Sequence, residues 1–228
     1  MKRLLQACYF LLFMGFLGAS PSAFAQFAIV LDNIEGRPIS AKLHGEVEGE
    51  PNFFKGWTKA TVHLTNGEKL GNVQVKYDLV DDLLIFTDKS GELFYFRHPV
   101  KEFWLHPEGA ADVHFRSGYP EVDGRFGTNF YQVLADGKIA LLKSYRKNLQ
   151  EAQVYGSTTK KFFLNDSENL YLFVNNRMIR VRKNEKAVLD AVGNEADKAA
   201  LKQLIAQQKL NLRKEEDLIA LFRSFNAQ

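Results

Sequence analysis

The feature that most constrains this chain is an alternation of apolar and polar residues between Trp57 and Leu79, interrupted once by Asn66-Gly67. Val62 and Leu64 fall on one face, Thr61 and His63 on the other; past the Asn-Gly pair, Val73, Val75, Tyr77 and Leu79 alternate with Asn72, Gln74, Lys76 and Asp78. A period of two places successive side chains on opposite faces, so each half is a strand with one buried and one wet face. Asn-Gly accepts positive φ at both central turn positions and is expected to join the halves as a tight hairpin.

The same pattern continues downstream. Strands are predicted over residues 83–87, 92–98, 100–106, 112–116, 130–134, 139–145, 161–164, 170–174 and 178–182, with turns at Lys89-Ser90-Gly91, Asp136-Gly137 and Asn175-Asn176. The stretch SGYPEVDGRFGTN (117–129) and the polar run 146–160 read as loops. Closely spaced short strands with tight turns specify a mainly β fold, an antiparallel β-meander rather than βαβ units. A curved sheet, a sandwich and a partly open barrel all satisfy this pattern.

The period changes near Lys183. A short helix over 186–192 is stopped by Gly193, and Asn194 caps the next helix, with Glu195 and Asp197 in its first turn, where the helix dipole favours acids. Leu201, Leu204 and Ile205 recur at helical spacing, as do Leu218, Leu221, Phe222 and Phe225 after the acids Glu215, Glu216 and Asp217. The segment 184–228 is thus expected to end in a pair of one-sided α-helices packed on a β domain spanning 26–183. A docking surface for a partner is the alternative use of those faces.

The N-terminus carries an address. Lys2 and Arg3 precede an apolar run, and Ala23-Phe24-Ala25 supplies the small-x-small site of a signal peptide over residues 1–25, cleaved before Gln26. The apolar run is too short to span a bilayer, and no later run reaches that length. Cys8, the single cysteine, leaves with the signal, so the mature chain has neither disulfide nor thiol nucleophile. An exported protein is expected, soluble in the periplasm or outside the cell. Losing Lys2 and Arg3 lowers the formal net charge of +3 by two, which leaves no basic footprint for nucleic acid.

The segments LTNGEKLGNVQVKYDLVDDLLIF, VKEFWL, FYQVLADGKIALLKSYRK and KLNLRKEEDLIALFRSFN together resemble a family of exported proteins of Bacteroidota. The resemblance covers most of the mature chain. It implies a signal peptide, a β-rich body and a short helical tail ending near an aromatic-Asn pair, here Phe225-Asn226. It implies no activity, ligand or site residue.

Motifs for chemistry are sparse. There is no Gly-rich phosphate loop, no G-x-S-x-G elbow and no H-E-x-x-H, and no catalytic residue, cofactor or metal is predicted. His98, His106 and His114 lie near Glu102, Glu108 and Asp112, but no spacing fixes two ligands on one face. Asp78, Asp81 and Asp82 match no calcium loop and read as a solvated turn. Two candidate binding features remain. Arg177, Arg180, Arg182 and Lys183 form a basic patch suited to an anionic partner, or a sheet edge kept unpaired by charge. Phe94, Phe96, Trp104, Phe115, Phe130 and Phe173 give strands large residues on both faces, which calls for a second layer or for an apolar ligand.

The leading functional expectation is an exported, non-catalytic binding or interaction module of the cell envelope, with a protein or glycan partner. The second is a carrier of a lipid or other apolar ligand in a curved-sheet cavity; an envelope hydrolase is third. A filled core favours the module, an open apolar cavity of roughly several hundred Å3 favours the carrier, and a hydrolase needs acids or histidines converging in a cleft.

Overall fold

A computed structural model of the chain describes residues 34–39, 47–153 and 160–228. The expected signal peptide, with Ala23, Ala25 and Gln26, lies outside the described residues, as does His44. The described elements are the strands β1 (Gly36–Pro38), β2 (Val47–Glu48), β3 (Thr58–Leu64), β4 (Lys69–Asp78), β5 (Leu83–Thr87), β6 (Leu93–Phe96), β7 (Val100–His106), β8 (Val113–Arg116), β9 (Tyr131–Ala135), β10 (Ala140–Gln153), β11 (Lys160–Val174) and β12 (Arg177–Val181), then the helices α1 (Glu185–Val192), α2 (Glu195–Gln208) and α3 (Glu215–Asn226). The fold is mainly β: an antiparallel meander with a helical tail.

The strands form one sheet in the order β1-β6-β5-β4-β3-β7-β8-β9-β10-β11-β12, with β2 pairing parallel to β11. It does not close. Its most informative feature is the connection from β6 to β7. Only Arg97, His98 and Pro99 separate Phe96 from Val100, yet β5, β4 and β3 lie between the two strands in the sheet. Four strand spacings in a flat sheet amount to about 19 Å, whereas four peptide steps reach at most about 14 Å. This half of the sheet must therefore curl until β6 approaches β7. A bulge assists: between β3 and β4 the register slips at Ala60/Val62, where Asn72 adopts a φ of 56°, and bulges increase local bend and twist.

The curled half buries its inner face on itself. Val62, Val73, Val75, Tyr77, Leu84, Phe86, Phe96, Phe103, Leu105, Phe115 and Phe130 form one apolar cluster. The second half buries the same face differently. Phe115 pairs with Gln132, Gln132 with Lys143, and Lys143 with Leu170, so these four side chains share a side. Leu170 belongs to the cluster that α1, α2 and α3 cover with Val188, Leu201, Leu218, Leu221 and Phe222. One sheet face thus carries both apolar clusters, covered by curvature at one end and by helices at the other, with Gln132 and Lys143 between them. On the opposite face of the second half, Tyr131, Leu142, Tyr171 and Met178 pack under Tyr119 and Phe173.

Local chemistry explains the helix starts. Asn184 accepts from the Ala187 N–H at 2.8 Å and Asn194 from Ala196 and Asp197 at 2.9 and 3.2 Å. The α3 start has no side-chain cap, and Glu215, Glu216 and Asp217 complement its dipole instead.

Two local expectations are corrected. The Asn66-Gly67 turn is not a two-residue turn with both φ positive: only Gly67 is positive, at 91°, and Gly67 N–H donates to the Leu64 carbonyl at 3.1 Å while Leu64 pairs with Glu68. This is a three-residue loop with glycine at the left-handed position. The tight primed turn occurs at Asn175-Asn176, with φ of 51° and 58°. The second correction concerns 146–160: β10 and β11 continue as a ribbon paired as far as Gln153↔Lys160. Both faces of the ribbon are wet around Arg146, Asn148, Asn165 and Asp166, so the segment carries no alternation from which a strand could be read.

Candidate ligand-binding cleft

The curl leaves a seam between the β1–β6 wall and the start of β7, and a cleft of about 880 Å3 opens along it. Its apolar surface comes from Pro38, Leu83, Leu84, Phe96, Val100 and Phe130, its cations are Arg37, Arg97 and Lys101, and His98 adds an imidazole. Leu84, Phe96 and Phe130 also belong to the inner core, so the floor of the cleft is the edge of that core. The connection that forms the seam is pinned on both sides: Arg97 N–H donates to the Glu35 carbonyl at 3.1 Å and Thr65 N–H to the Pro99 carbonyl at 2.9 Å. Leu83 is exposed, as is Phe126, which precedes the cleft residues Gly127 and Thr128.

The far wall is the loop 117–130, held by one carboxylate. Asp82 Oδ2 accepts from Arg125 Nη2 at 2.8 Å, from Asn129 Nδ2 at 2.7 Å and from Phe130 N–H at 3.4 Å, and Asp82 Oδ1 accepts from the Tyr77 hydroxyl at 2.5 Å. Arg125 also donates to the Phe130 carbonyl at 2.9 Å and lies over the Tyr131 ring. Burial pushes the Asp82 carboxyl up and outweighs the opposing pull of Arg125; burial likewise raises the Tyr77 phenol well above its ordinary range. Asp78, 1% exposed, accepts from the N–H of Val80 and Asp81. Asp78 and Asp82 are therefore a structural hub rather than solvated turn residues, and only Asp81 is exposed. Local sequence could not reveal this, because Arg125 lies 43 residues from Asp82.

The candidate aromatics divide. Phe96 and Phe130 line the cleft. Phe115 is fully buried in the inner core, and Phe94 packs against it, stacked on Phe86 at 5.4 Å. Phe173 packs edge-on to Tyr119 at 5.2 Å in the cluster on the other face. Trp104 is on the outer face, where cross-strand register sets it between Thr61 and His114.

That outer face gathers the histidines. Trp104 stacks on His114 at 4.2 Å and meets His63 edge-on at 4.8 Å. Glu102 accepts from His63 Nδ1 at 3.2 Å, from His114 Nε2 at 3.1 Å and from Arg116 Nε at 3.1 Å, and Arg116 reaches Asp136 at 2.9 Å. Burial pushes Glu102 up, but its hydrogen bonds from Arg116, His63 and His114 hold it below its ordinary value. Burial lowers His114 against the opposing pull of Glu102. His106 Nδ1 lies 2.9 Å from Asp112 and Nε2 2.9 Å from Thr61 Oγ1. Among the described residues, no group of three or more His, Cys, Asp and Glu is arranged to hold a metal ion.

No protein-family model, curated protein or solved structure matches the chain.

The basic patch also divides. Arg180, Arg182 and Lys183 line a separate polar cleft of about 560 Å3 with Lys143, Glu168 and Glu215, whereas Arg177 begins β12 beside the Asn175-Asn176 turn. Lys143 is bound there by Glu168 at 2.7 Å and Glu215 at 3.1 Å. Burial lowers its ammonium, and these two carboxylates more than reverse that, so it stays charged. The carboxylates offset much of the patch, so this cleft is mixed in charge whereas the seam cleft is apolar with a cationic rim. Among the described residues, no helix is long and apolar enough to cross a membrane.

Proposed function

We propose that the protein is an exported, non-catalytic binding protein of the cell envelope whose seam cleft holds an apolar ligand. The observation that carries this is the cleft of about 880 Å3 at the unclosed seam, walled by Pro38, Leu83, Leu84, Phe96, Val100 and Phe130. Ligand sites typically occupy about 300–1,000 Å3 with mainly apolar walls. The filled inner core favours an interaction module and the open apolar cleft beside it favours the carrier; the size of that cleft decides for the carrier. The N-terminal sequence, with positive start, short apolar run and Ala23-x-Ala25, supports export. Kinship with the exported Bacteroidota proteins belongs to the same proposal.

Native mass spectrometry of the mature protein, purified gently from its own envelope, tests it. Extra mass of lipid size, lost on denaturation, is expected. A bare mass, together with no uptake of the neutral fluorophore N-phenyl-1-naphthylamine by the purified protein, sinks the carrier reading and returns attention to protein or glycan partners.

A further inference from the structure

The charges around the seam cleft narrow its ligand, if the cleft is a binding site as proposed above. Among the described residues its lining holds one carboxylate, Asp82, and that group is already engaged by four donors: Tyr77, Arg125, Asn129 and the Phe130 N–H. The cations are differently disposed. Arg97 pairs with Glu35. Arg37 and Lys101 have no ion-pair partner among the described residues, and both are exposed. They come from opposite walls: Arg37 from β1, paired to Tyr95 of β6, and Lys101 from β7. Leu84, Phe96 and Phe130 line the same cleft.

We infer that the cleft takes an anionic amphiphile, its apolar chain on Leu84, Phe96 and Phe130 and its anionic group held at the mouth between Arg37 and Lys101. The physical reason is division of labour. The apolar floor rewards removal of a hydrocarbon chain from water, and two unpaired cations at the rim favour a negative group over a neutral one of equal length. Such exposed pairs are individually weak, so the selectivity is expected at about tenfold, near the upper range for two of them. A carboxylate and a phosphate both satisfy this chemistry; the guanidinium of Arg37 presents the planar fork that suits either.

The test is displacement of N-phenyl-1-naphthylamine from the mature protein by laurate, dodecyl phosphate and dodecanol at low salt. Laurate or dodecyl phosphate is expected to displace about tenfold more tightly than dodecanol, and whichever is stronger identifies the anionic group. The preference is expected to shrink in Arg37→Ala/Lys101→Ala, with the anions losing more affinity than dodecanol, which can lose only contact with the two apolar stems. Both residues are exposed, so unfolding of the double variant should stay close to that of the parent, and far-UV circular dichroism with urea denaturation checks this. Equal displacement by dodecanol and the anions overturns the anionic assignment while leaving the apolar cleft standing. Failure of all three to displace, or of the fluorophore to bind, overturns both.

Discussion

The Asn226 side chain fills the space that a Cβ on Gly137 would need. An alanine Cβ there would sit 2.5 Å from Asn226 Cγ, and Gly137 already has a φ of 141°. Asn226 Oδ1 accepts from the Ile139 N–H at 3.1 Å, and Nδ2 donates to the Asp136 and Ile139 carbonyls at 3.0 and 2.9 Å. The last helical residue thus closes the β9–β10 turn from 87 positions away. Asn226→Ala leaves a buried N–H without its acceptor, at a cost of about 1–3 kcal/mol. Gly137→Ala is expected to cost about 1–3 kcal/mol from backbone strain and more from the clash with Asn226. The double variant should be less destabilised than the sum, because truncating Asn226 makes room for the new Cβ. Strict additivity in urea unfolding would show that the contact is not the source of the effect.

The Asp82–Arg125 pair is expected to be the most sensitive polar contact of the cleft wall. The two side chains are 11% and 8% exposed, so removing either leaves the other charge buried and unmatched. Asp82→Ala should cost about 3–5 kcal/mol. Adding Arg125→Ala should recover part of that loss, measured as a coupling energy in a double-mutant cycle. No recovery would mean that Arg125 is held chiefly by the Phe130 carbonyl.

Acid should weaken the outer-face network in two steps. Folding lowers His114 below its ordinary 6.5, so the unfolded state binds the proton more readily, and stability falls as pH drops through that value. Folding also lowers Glu102 below 4.5; its contribution is complete above that pH and is lost as pH falls through the depressed value. Unfolding free energy should therefore decline from pH 7 toward pH 5 with a slope that flattens in His114→Gln. A variant with the parental slope would assign the decline to other groups.

Leu83 offers a test of the cleft that spares the fold. It lines the cleft but is 41% exposed, so Leu83→Asn removes apolar contact at the mouth with little loss of core. Unfolding should shift by no more than about 0.5 kcal/mol, while fluorophore affinity drops several-fold. Unchanged affinity would place the fluorophore elsewhere on the molecule.

The helix faces can be checked at their centre. Phe222 is fully buried among Leu218, Leu221 and the strands beneath. Phe222→Ala should cost about 3–5 kcal/mol in urea unfolding. A loss below 1 kcal/mol would mean that the helical tail adds little to the stability of the sheet.

Sequence alone determined the parts of this protein whose causes are local. Val73, Val75 and Tyr77 alternate because one face of β4 is buried, Asn175-Asn176 adopts positive φ because asparagine tolerates it, and Asn184 and Asn194 start helices because their side chains reach N–H groups two or three residues on. Those rules yielded the antiparallel meander and the helical tail. They missed the wet ribbon of β10 and β11, where no face is buried and no alternation exists. They could not reveal the cleft. Phe96 and Phe130 line one cleft because the short Arg97–Pro99 connection forces the sheet to curl, and the strand order that creates that demand is not encoded in any single segment. The same holds for Asp82 with Arg125 and for Asn226 with Gly137: each pairing joins groups distant in the chain, and only the tertiary structure decides which buried charge or amide finds which partner.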